Sequence, residues 1–267
     1  MDDDHSTFHG GSSAQCSTCT IRSRCVINKI ATKEVDVLSA SYITRSSLKE
    51  GQYLYRRGDP FSGVFSLRYG SVKTELLFED GVTQVTNFSI SGAILGLDGV
   101  GSRKYQLDCI CLSAVEVCFI PITDLGKMAK TYPELVGSLG SALGIMLNES
   151  TAHNYDLMHL NSLERLSDFL ISHSNHLSMA GYDRDDFILT MSRPDLANYL
   201  GITVETLSRS LTHLEKIGAL EVTNRHIKFL SRDPIFKLID SKITRERHDA
   251  EKRGAHVYPS FVEKRKT

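Results

Sequence analysis

Three of the six cysteines of this chain lie close together near the N-terminus, in the stretch QCSTCTIRSRC at residues 15–25. Their spacing is C-x2-C-x5-C, and the next cysteine along the chain is Cys109. Thiolates are ligands for zinc and for iron–sulfur clusters, and both kinds of site commonly take four of them. Three thiols are one ligand short of such a site, and they cannot pair into disulfides without a leftover. The spacing therefore predicts a metal or cluster site that takes a fourth cysteine from elsewhere in the chain.

The composition indicates a globular protein of a reducing compartment. Of the 267 residues 41% are hydrophobic and 24% charged, and the formal net charge of −1 argues neither for nor against nucleic acid. No stretch approaches the ~18 consecutive apolar residues of a membrane span. The acidic, polar first fifteen residues lack the basic start and apolar run of a secretory signal. We therefore expect a cytoplasmic protein with no membrane partner, whose thiols stay reduced.

Short apolar runs alternate with glycine turns between about Ile43 and Pro121. In SVKTELLF and VTQVTNFSI the β-branched and aromatic residues recur at period two, and the EDG between them is a hairpin turn with Gly81 at the positive-φ position. Such regular turn signals predict an all-β sandwich or barrel. Cys109 and Cys111 fall at alternate positions of one strand, and we interpret them as small buried hydrophobes.

A long stretch with few helix breakers begins at Pro133 and ends at about Leu160. It contains positions that follow each other at 4-3-4-3-4-3 spacing, which is typical of a coiled-coil seam. The seam is apolar at both ends and polar at its centre, and consists of Leu139, Leu143, Met146, Ser150, His153, Leu157 and Leu160. Because the stretch is long and regular, we favour a dimer seam over a helix that packs only on its own β domain.

After the seam the order of elements is helix, strand, helix, helix and hairpin. Ser192 is placed to cap one helix, with an acidic partner three residues on, and Thr203 caps the next, which ends at Gly218. Two helices joined by a three-residue turn that contains glycine, here Gly201, are the pattern of a helix-turn-helix. ALEVTNRHIKFL then predicts a two-stranded wing that turns at Asn224.

The second helix of this pair has two faces. The face expected in the core is Val204, Leu207, Leu211 and Leu214. The opposite face is polar and, with the capping Thr203, is expected to contact DNA through Glu205, Ser208, Arg209 and Thr212. Arginine can donate two hydrogen bonds to guanine and glutamate can accept one from cytosine, and the first turns of such a helix reach the bases. We favour base reading over the alternative of an ordinary solvated face.

Together these motifs resemble the cyclic-AMP receptor protein/FNR family of bacterial transcription regulators. The resemblance extends from Cys16 to about Leu238, and it rests on the cysteine spacing, VCFIP, SGAILGLDGVGS and MSRPDLANYLGITVETLSRSL. It implies an α+β fold with an N-terminal β-roll of the cyclic-nucleotide-binding jelly-roll type, a long dimerisation helix and a C-terminal winged helix-turn-helix. The expected segments are a disordered leader with the cysteines at 1–27, the roll at 28–132, the helix at 133–160, the DNA-binding domain at 161–238 and a charged, disordered tail at 239–267.

The resemblance also implies a cofactor and its ligands. FNR-like members hold an oxygen-labile [4Fe-4S] cluster with three leader cysteines and one from the end of the roll, which here are Cys16, Cys19, Cys25 and Cys118. From spacing alone, a zinc site with four cysteine ligands is nearly as well supported. Another redox signal at the same thiols is also open.

The implied function is an oxygen-responsive regulator that activates or represses genes of anaerobic metabolism. Its intact cluster favours a homodimer that binds double-stranded DNA at a TTGAT-N4-ATCAA-like palindrome. Glu205, Ser208 and Arg209 match the base-reading positions of the family, and the hairpin tip around Gly81 matches a loop that contacts RNA polymerase.

The chain departs from the family pattern in three places. Ser150 stands where oxygen-responsive members often carry an aspartate, and the missing charge makes a dimer easier to form. Arg22 and Arg24 make the cysteine loop unusually basic, and residues 239–267 match no part of the family.

Other ligands and other classes of protein give competing interpretations. Nucleotide-binding members use an acid for the ribose and Arg-Ser/Thr for the phosphate, whereas this chain has Ala93 and Arg103-Lys104, so we expect no cyclic nucleotide. Haem at His153 or His159 is conceivable. An iron–sulfur electron carrier or an enzyme would need a second site, and because no catalytic constellation is visible in the sequence we expect no enzyme activity.

Serine substitutions test the ligand assignment. We predict that the variants at Cys16, Cys19, Cys25 and Cys118 each fail to assemble the cluster, because each removes one of four thiolate ligands. Cys109→Ser and Cys111→Ser should retain it. The variants are reconstituted anaerobically and assayed for iron and sulfide. Full iron content in Cys118→Ser, or loss of iron in Cys111→Ser, contradicts the assignment.

Overall fold

The computed structural model describes residues 12–13, 16–27, 34, 36 and 40–239. The chain divides into two compact units, 1–144 and 145–267, and the division falls within one helix. The tail predicted at 239–267 lies outside the described residues from position 240 on, and so do residues 1–11, 14 and 15 of the predicted leader. Ser12–Ser13 form a short strand, which corrects the expectation of disorder there. Among the described helices, none has the length and apolar character needed to cross a membrane.

The first unit is a β-roll of two antiparallel sheets, as predicted. One sheet has the strand order β1-β2-β9-β4-β7 and the other β3-β8-β5-β6. Gly81 turns the β5–β6 hairpin at φ 83°, also as predicted. The strands are β1 Ser12–Ser13, β2 Thr44–Leu48, β3 Tyr53–Tyr55, β4 Gly63–Tyr69, β5 Ser71–Leu77, β6 Thr83–Ile90, β7 Ile94–Leu95, β8 Asp108–Cys111 and β9 Val115–Pro121.

Strand β9 has buried residues on both faces, and its alternate residues enter two different cores. Val115, Val117 and Phe119 belong to an inner cluster between the two sheets. Cys118 and Ile120 belong to an outer cluster on the other face of the five-stranded sheet. Because side chains alternate along a strand, a slip of one residue would exchange the two sets. Burial on both faces therefore fixes the face on which Cys118 lies.

Two helices follow the roll. Helix α1, Ile122–Thr131, was not expected from the sequence, whereas α2, Glu134–His159, matches the helix predicted from Pro133 to about Leu160. Their buried residues cover the outer cluster, and Leu135 at the start of α2 is fully buried in it. The outer cluster thus joins the cysteine segment, β9, α1 and the first turns of α2.

The second unit is a winged helix-turn-helix with the predicted order of elements. Its three strands pair in the order β10-β12-β11. The wing turns at Asn224, which adopts φ 58°. The elements are α3 Ser162–Met179, β10 Asp186–Ile188, α4 Arg193–Tyr199, α5 Val204–Lys216, β11 Leu220–Thr223, β12 His226–Phe229 and α6 Asp233–Leu238.

Helix α3 carries a buried histidine. The His173 ring stacks on Phe169, with centroids 5.4 Å apart, and its centroid is 5.9 Å from that of Phe187. Burial, with a smaller contribution from the neighbouring His176, lowers the pKa of His173 to about 3. An unfolded histidine titrates at about 6.5. Since the folded pKa is depressed, the stabilisation is complete above the unfolded pKa and is lost as the pH falls below it.

Acid should therefore destabilise the second unit through His173. Between about pH 6 and pH 4, one proton taken up on unfolding lowers the opening free energy by up to about 1.4 kcal/mol per pH unit. We expect His173→Phe to make this dependence shallower, and the exposed control His213→Gln to leave it unchanged. Hydrogen exchange of the α3 amides measures the opening. Equal slopes in His173→Phe and the unmodified protein would contradict the assignment.

Candidate metal centre and nucleic-acid interface

The cysteine segment, residues 16–27, folds onto the roll. The Cys19 N–H donates to the Cys16 carbonyl oxygen at 3.3 Å, and the Cys25 N–H donates to that of Arg22 at 3.2 Å, around one turn of 3-10 helix. Three apolar side chains of the segment are buried, namely Ile21, Val26 and Ile27. Burying each contributes about 1.5–3 kcal/mol, so the segment carries its own means of attachment.

Arg24 attaches the segment to the turn after β6. Its Nη1 donates to the Ser91 carbonyl oxygen at 2.8 Å, and its side chain lies against Gly92, which adopts φ 101°. A Cβ at position 92 would lie 3.1 Å from Nη1. The sequence singled out Arg24 for its charge, whereas the structure gives its guanidinium an anchoring contact.

Three of the four predicted ligands lie in or against the outer cluster. Cys16 and Cys118 are buried in the outer cluster, and Cys25 packs against it. The Cys25 Sγ lies 3.3 Å from the Ser66 Oγ, and Ser66 is directly opposite Cys118 on the neighbouring strand. All four cysteines are free thiols.

The thiols of this group influence each other electrostatically. Burial, with smaller contributions from Cys25, Cys16 and Cys19, raises the pKa of Cys118 to about 12. The other three predicted ligands are therefore near enough to Cys118 to affect its pKa. Within the described residues, no three histidine, cysteine, aspartate or glutamate side chains are grouped closely enough to hold a metal ion.

Cys109 and Cys111 lie apart from this group, in the inner cluster. Both are fully buried, and burial raises the pKa of Cys111 to about 11. Their interpretation as small buried hydrophobes is confirmed. The two sets of cysteines thus lie in different clusters.

A charged network beside the thiols was missed by sequence reasoning. Glu116 accepts from the Arg68 Nη1 at 2.9 and 2.8 Å and forms an ion pair with Arg45, whose Nε lies 3.0 Å from its Oε1. Partial burial opposes the charge of Arg68, but the neighbouring Cys19 and Glu116 outweigh burial and raise its pKa. One signal was available, because Glu116 precedes Cys118 by two residues and so shares its face of the strand.

Aromatic rings fill the interior of the roll. The rings of Tyr55 and Tyr105 stack with centroids 4.2 Å apart, and Phe65 and Phe119 lie 4.9 Å apart. The Tyr105 hydroxyl donates to the Gly63 carbonyl oxygen at 2.8 Å. The loop that follows Arg103 lacks the Arg-Ser/Thr pattern of nucleotide-binding members. Tyr105 of this loop is instead a core residue.

The structure divides the predicted seam of α2. Leu139 packs against the outer cluster. The His153 ring stacks on that of Tyr199, with centroids 4.0 Å apart. His153 is one of the two histidines considered for haem. Leu157 is half-buried, and its Cδ2 lies 3.2 Å from the position of a Cβ at Gly201. These side chains therefore contact residues of their own chain.

An exposed stripe of α2 overlaps the predicted seam. Its positions repeat at 4-3-4-3-4 spacing and include Leu143 and Ser150 of the seam, whose Met146 is also exposed. We call it the α2 stripe, and it consists of Val136, Gly140, Leu143, Leu147, Ser150 and Asn154. Three large apolar side chains of the stripe are exposed: Val136 by 56%, Leu143 by 43% and Leu147 by 68%.

N-terminal caps fix where the two helices of the helix-turn-helix begin. The Ser192 Oγ accepts from the Asp195 N–H at 3.1 Å, and the Thr203 Oγ1 accepts from the Thr206 N–H at 3.2 Å. Gly201 at φ 62° lies in the turn between α4 and α5, and Gly218 at φ 70° follows the end of α5. These caps and turns confirm the predictions for this region.

Helix α5 has the two predicted faces with one exception. Leu207, Leu211 and Leu214 are buried, but Val204 is 37% exposed. The prediction for Val204 is wrong because the apolar face becomes covered only from Leu207 onward. The four polar residues of the opposite face are all exposed, namely Glu205, Ser208, Arg209 and Thr212.

The charges at the start of α5 fit base reading. The Arg209 Nη2 donates to the Thr206 Oγ1 at 3.2 Å. The backbone N–H of Glu205 and the side chain of Thr203 hold the pKa of Glu205 below its usual value, with help from Arg209. An ionised carboxylate is an acceptor only, as pairing with a cytosine amino group requires. Arg193 Nη2 donates to the Asn224 carbonyl oxygen at 2.6 Å and ties α4 to the wing.

The β5–β6 hairpin tip is ordered by short hydrogen bonds. The Phe78 N–H donates to the Val82 carbonyl oxygen at 2.9 Å, and the Val82 N–H donates to the Asp80 Oδ1 at 3.0 Å. Gly81 lies at the apex. The side chains of Leu77, Phe78 and Val82 are exposed around it, which makes the tip an apolar projection.

A β-roll followed by a long helix and a winged helix-turn-helix defines a class of DNA-binding transcription regulators. Residues 45–132 match the cyclic nucleotide-binding domain family and residues 164–234 match the Crp-like helix-turn-helix domain family. The chain belongs to the Crp/FNR family, whose members are transcription regulators rather than enzymes.

Named relatives support this membership over most of the chain. Electron transport regulator A of Shewanella oneidensis is 30% identical over 220 residues, which are 81% of this chain and 87% of the relative. The fumarate and nitrate reduction regulatory protein of Escherichia coli is 29% identical over 229 residues, 86% and 92% of the two chains. The structure of FixK2 from Bradyrhizobium japonicum matches with a TM-score of 0.68 at 26% identity, over 74% of this chain and 98% of that one.

Substitutions on α5 test the base-reading assignment. A good bidentate contact is worth about 1–3 kcal/mol of discrimination, and a symmetric dimer loses it twice. We therefore expect Arg209→Ala to weaken binding to a TTGAT palindrome by about two to four orders of magnitude, with a small loss on a scrambled duplex. Glu205→Ala should keep or raise binding to the scrambled duplex and relax the preference at one C·G pair.

The control is Lys216→Ala, which removes an exposed cation at the far end of α5. It should change both affinities by the same small factor. Titration of each variant against both duplexes at fixed salt gives the comparison. If Arg209→Ala lowers both affinities equally, Arg209 contacts phosphate and does not read a base.

Proposed function

We propose that this chain is an oxygen-responsive transcription regulator of the cytoplasm that activates or represses genes of anaerobic metabolism. A [4Fe-4S] cluster held by Cys16, Cys19, Cys25 and Cys118 controls its dimerisation and its binding to a TTGAT-N4-ATCAA-like palindrome. The observation that supports the proposal is that Cys16, Cys118 and Cys25 lie in or against the apolar cluster that also contains Leu135 of α2. Relatives named as anaerobic regulatory proteins support it.

The donor set fits the cluster. The proposed donors are four free thiols from one folded segment and one strand, and a thiol that coordinates a metal is deprotonated outright. This overcomes the raised pKa of Cys118. When bound, the cluster supplies an oxygen-sensitive redox group whose four thiolate bonds join the segment to β9. Arg24 and the buried Ile21 hold the segment in place for those bonds.

The outer cluster gives the route from the thiols to the dimer helix. Cys16 and Cys118 are packed in the same apolar cluster as Leu135, and Leu139 packs on its edge. A cysteine segment that shifts or leaves changes the packing beneath the first turns of α2. Because packed cores have a few discrete arrangements, a change of a few kcal/mol there is enough to move a marginal dimer equilibrium.

The α2 stripe is the surface through which we expect two copies to pair. Val136, Leu143 and Leu147 supply apolar area, whereas Gly140 and Ser150 supply little. A pairing surface of this kind gives a weak dimer that a signal can control. The dimer matters because two copies of α5 read half-sites about 34 Å apart. The hairpin tip at Gly81 projects apolar side chains suited to contact with RNA polymerase.

Leu147→Asp tests the surface and the function together. It removes a side chain worth about 1.5–3 kcal/mol of burial from each copy and puts like charges opposite each other. Under nitrogen we expect dimer and palindrome affinity to fall by about two to four orders of magnitude, while the visible spectrum of the cluster stays that of the unmodified protein. Sedimentation and DNA titration measure the two affinities.

The control is Ser141→Asp, an exposed position of α2 away from the stripe, which should behave like the unmodified protein. Air should bleach the spectrum of the unmodified protein and lower its DNA affinity in the same titration. A colourless protein that binds zinc would contradict the proposed cofactor. A Leu147→Asp variant that still dimerises would contradict the stripe.

A further inference from the structure

Helix α2 contacts the helix-turn-helix next to the turn that precedes α5. Tyr199 is the last residue of α4, and its ring stacks on that of His153 of α2, with centroids 4.0 Å apart and an angle of 10° between the ring planes. Phe169 of α3 meets the same tyrosine edge-on, with centroids 5.7 Å apart. Tyr199 is therefore in contact with both helices that precede the helix-turn-helix.

The turn itself lies against the same two helices. Gly201 adopts φ 62°, and a Cβ at this position would lie 3.2 Å from the Leu157 Cδ2 and 3.3 Å from the Arg165 Nη1. Leu157 is four residues after His153, so the two side chains share one face of α2. That face contacts the end of α4 through His153 and approaches the turn through Leu157.

The connection from Tyr199 to α5 is short and hydrogen-bonded. The Gly201 N–H donates to the Asn198 carbonyl oxygen at 3.0 Å, and the Ile202 N–H donates to another carbonyl oxygen of α4 at 3.0 Å. Thr203 then caps α5 with its side chain. Because these hydrogen bonds hold the turn to α4, the start of α5 moves together with Tyr199.

The link between α2 and α3 leaves the angle between these helices to side-chain contacts. Helix α2 ends at His159 and α3 begins at Ser162, and Asn161 between them has an extended backbone with φ −74° and ψ 172°. Residues at the ends of helices can absorb large changes of backbone angle. Contacts such as the stack on His153 are therefore needed to fix the direction in which α2 holds the helix-turn-helix.

The same stretch of α2 also carries part of the exposed α2 stripe. Leu147 is 68% exposed and precedes His153 by six residues, which places the two side chains about 120° apart around the helix. Ser150 and Asn154 of the stripe are exposed as well. One side of this stretch is thus available to a second copy, while another side holds the helix-turn-helix.

A fixed angle between α2 and α5 matters when a dimer reads two half-sites at once. After one copy of α5 has bound, binding of the second depends on how often it lies at the right distance and angle. Each added base pair lengthens the duplex by about 3.4 Å and turns it by about 35°. A rigid connection therefore favours one spacing, whereas a loose connection binds that spacing less tightly and discriminates less against others.

We propose that the stack of His153 on Tyr199, supported by the packing of Leu157 against the turn, positions α5 relative to α2 and thereby selects the spacing between the two half-sites. His153 is thus a positioning residue for DNA recognition. The inference rests on the proposed pairing of two copies and on the proposed palindrome, and it adds the contact that fixes their geometry.

The test compares three variants of the full chain, prepared under nitrogen: His153→Leu, His153→Phe and the control His159→Leu. Each is titrated at fixed salt against a TTGAT-N4-ATCAA duplex, against a TTGAT-N6-ATCAA duplex and against a duplex with a single half-site. We call the first two the N4 and N6 duplexes. Sedimentation measures the dimer affinity, so that DNA affinities are compared at equal dimer concentration.

Leucine keeps an apolar side chain at position 153 but removes the flat ring. A stacked ring pair changes an equilibrium by about 2- to 12-fold, and a symmetric dimer loses two of them. We therefore expect His153→Leu to bind the N4 duplex about 5- to 150-fold less tightly. Its dimer affinity and its binding to the single half-site should stay unchanged, so its preference for N4 over N6 falls.

Two variants show whether the ring stack is the cause. Phenylalanine keeps a flat ring, so His153→Phe should match the unmodified protein. The matched control removes a ring contact that lies within α2 alone: His159 lies against Tyr155, with centroids 4.5 Å apart. We expect His159→Leu to leave the three DNA affinities and the preference for N4 unchanged.

Each outcome bears on the proposal. If His153→Leu binds all three duplexes less tightly by one common factor, the stack only stabilises the fold and the positioning role is overturned. If His153→Phe behaves like His153→Leu, stacking is not the cause and the proposal is overturned as well. If the unmodified protein binds N4 and N6 equally, the inference fails while the DNA-binding function stands.

Two further results are also decisive. If the unmodified protein prefers neither duplex to a scrambled one, the proposed palindrome is wrong and the inference fails with it. Should His153→Leu not fold, as circular dichroism would show, Leu157→Ala takes its place, because it loosens the packing against the turn and leaves the ring stack intact. A lower preference for N4 in Leu157→Ala supports the proposal, and an unchanged preference overturns it.

Discussion

Successive residues of a β-strand point to opposite faces of its sheet, and β9 has a packed core on each of them. The inner cluster takes Val117 and Phe119, and the outer cluster takes Cys118 and Ile120. Neither face tolerates a slip of one residue, which would place Cys118 among the rings inside the roll. The position of the fourth thiol is therefore a consequence of packing on both sides of the sheet, and the cysteine segment, α1 and the start of α2 all assemble on the face so defined.

The outer cluster packs against both the cysteine segment and the start of α2. The segment is held by Ile21, Val26 and Ile27 and by the contact of Arg24 with Ser91, and these contacts need no metal. Hence the segment is attached to the roll by contacts of its own, which reduces the ordering that binding of a cofactor would have to supply. The same cluster contains Leu135 of α2. A change at the thiols therefore reaches the helix through direct packing.

In the second unit, the 3.6-residue period of helix α5 decides which side chains face the core and which face outward. In α5 the apolar residues Leu207, Leu211 and Leu214 face the core, so Glu205 and Arg209 must face outward. The Thr203 cap and Gly201 fix where the helix begins, and thereby which side chains lie in its first turns. On α2, contacts with other elements decide which residues are exposed. His153 is covered because it stacks on Tyr199, whereas the α2 stripe stays exposed.

The sequence by itself determined the features whose physical causes are local. Strand alternation, the cap at Ser192 and the glycine turns depend on residues a few positions apart, and the structure confirms them. Tertiary structure decided the rest. The face of α2 that stays open, the anchoring by Arg24 and the Arg68–Glu116 pair join residues that are far apart in sequence. Periodicity defines a set of positions on a helix or strand, but only packing against other elements determines which way that set faces.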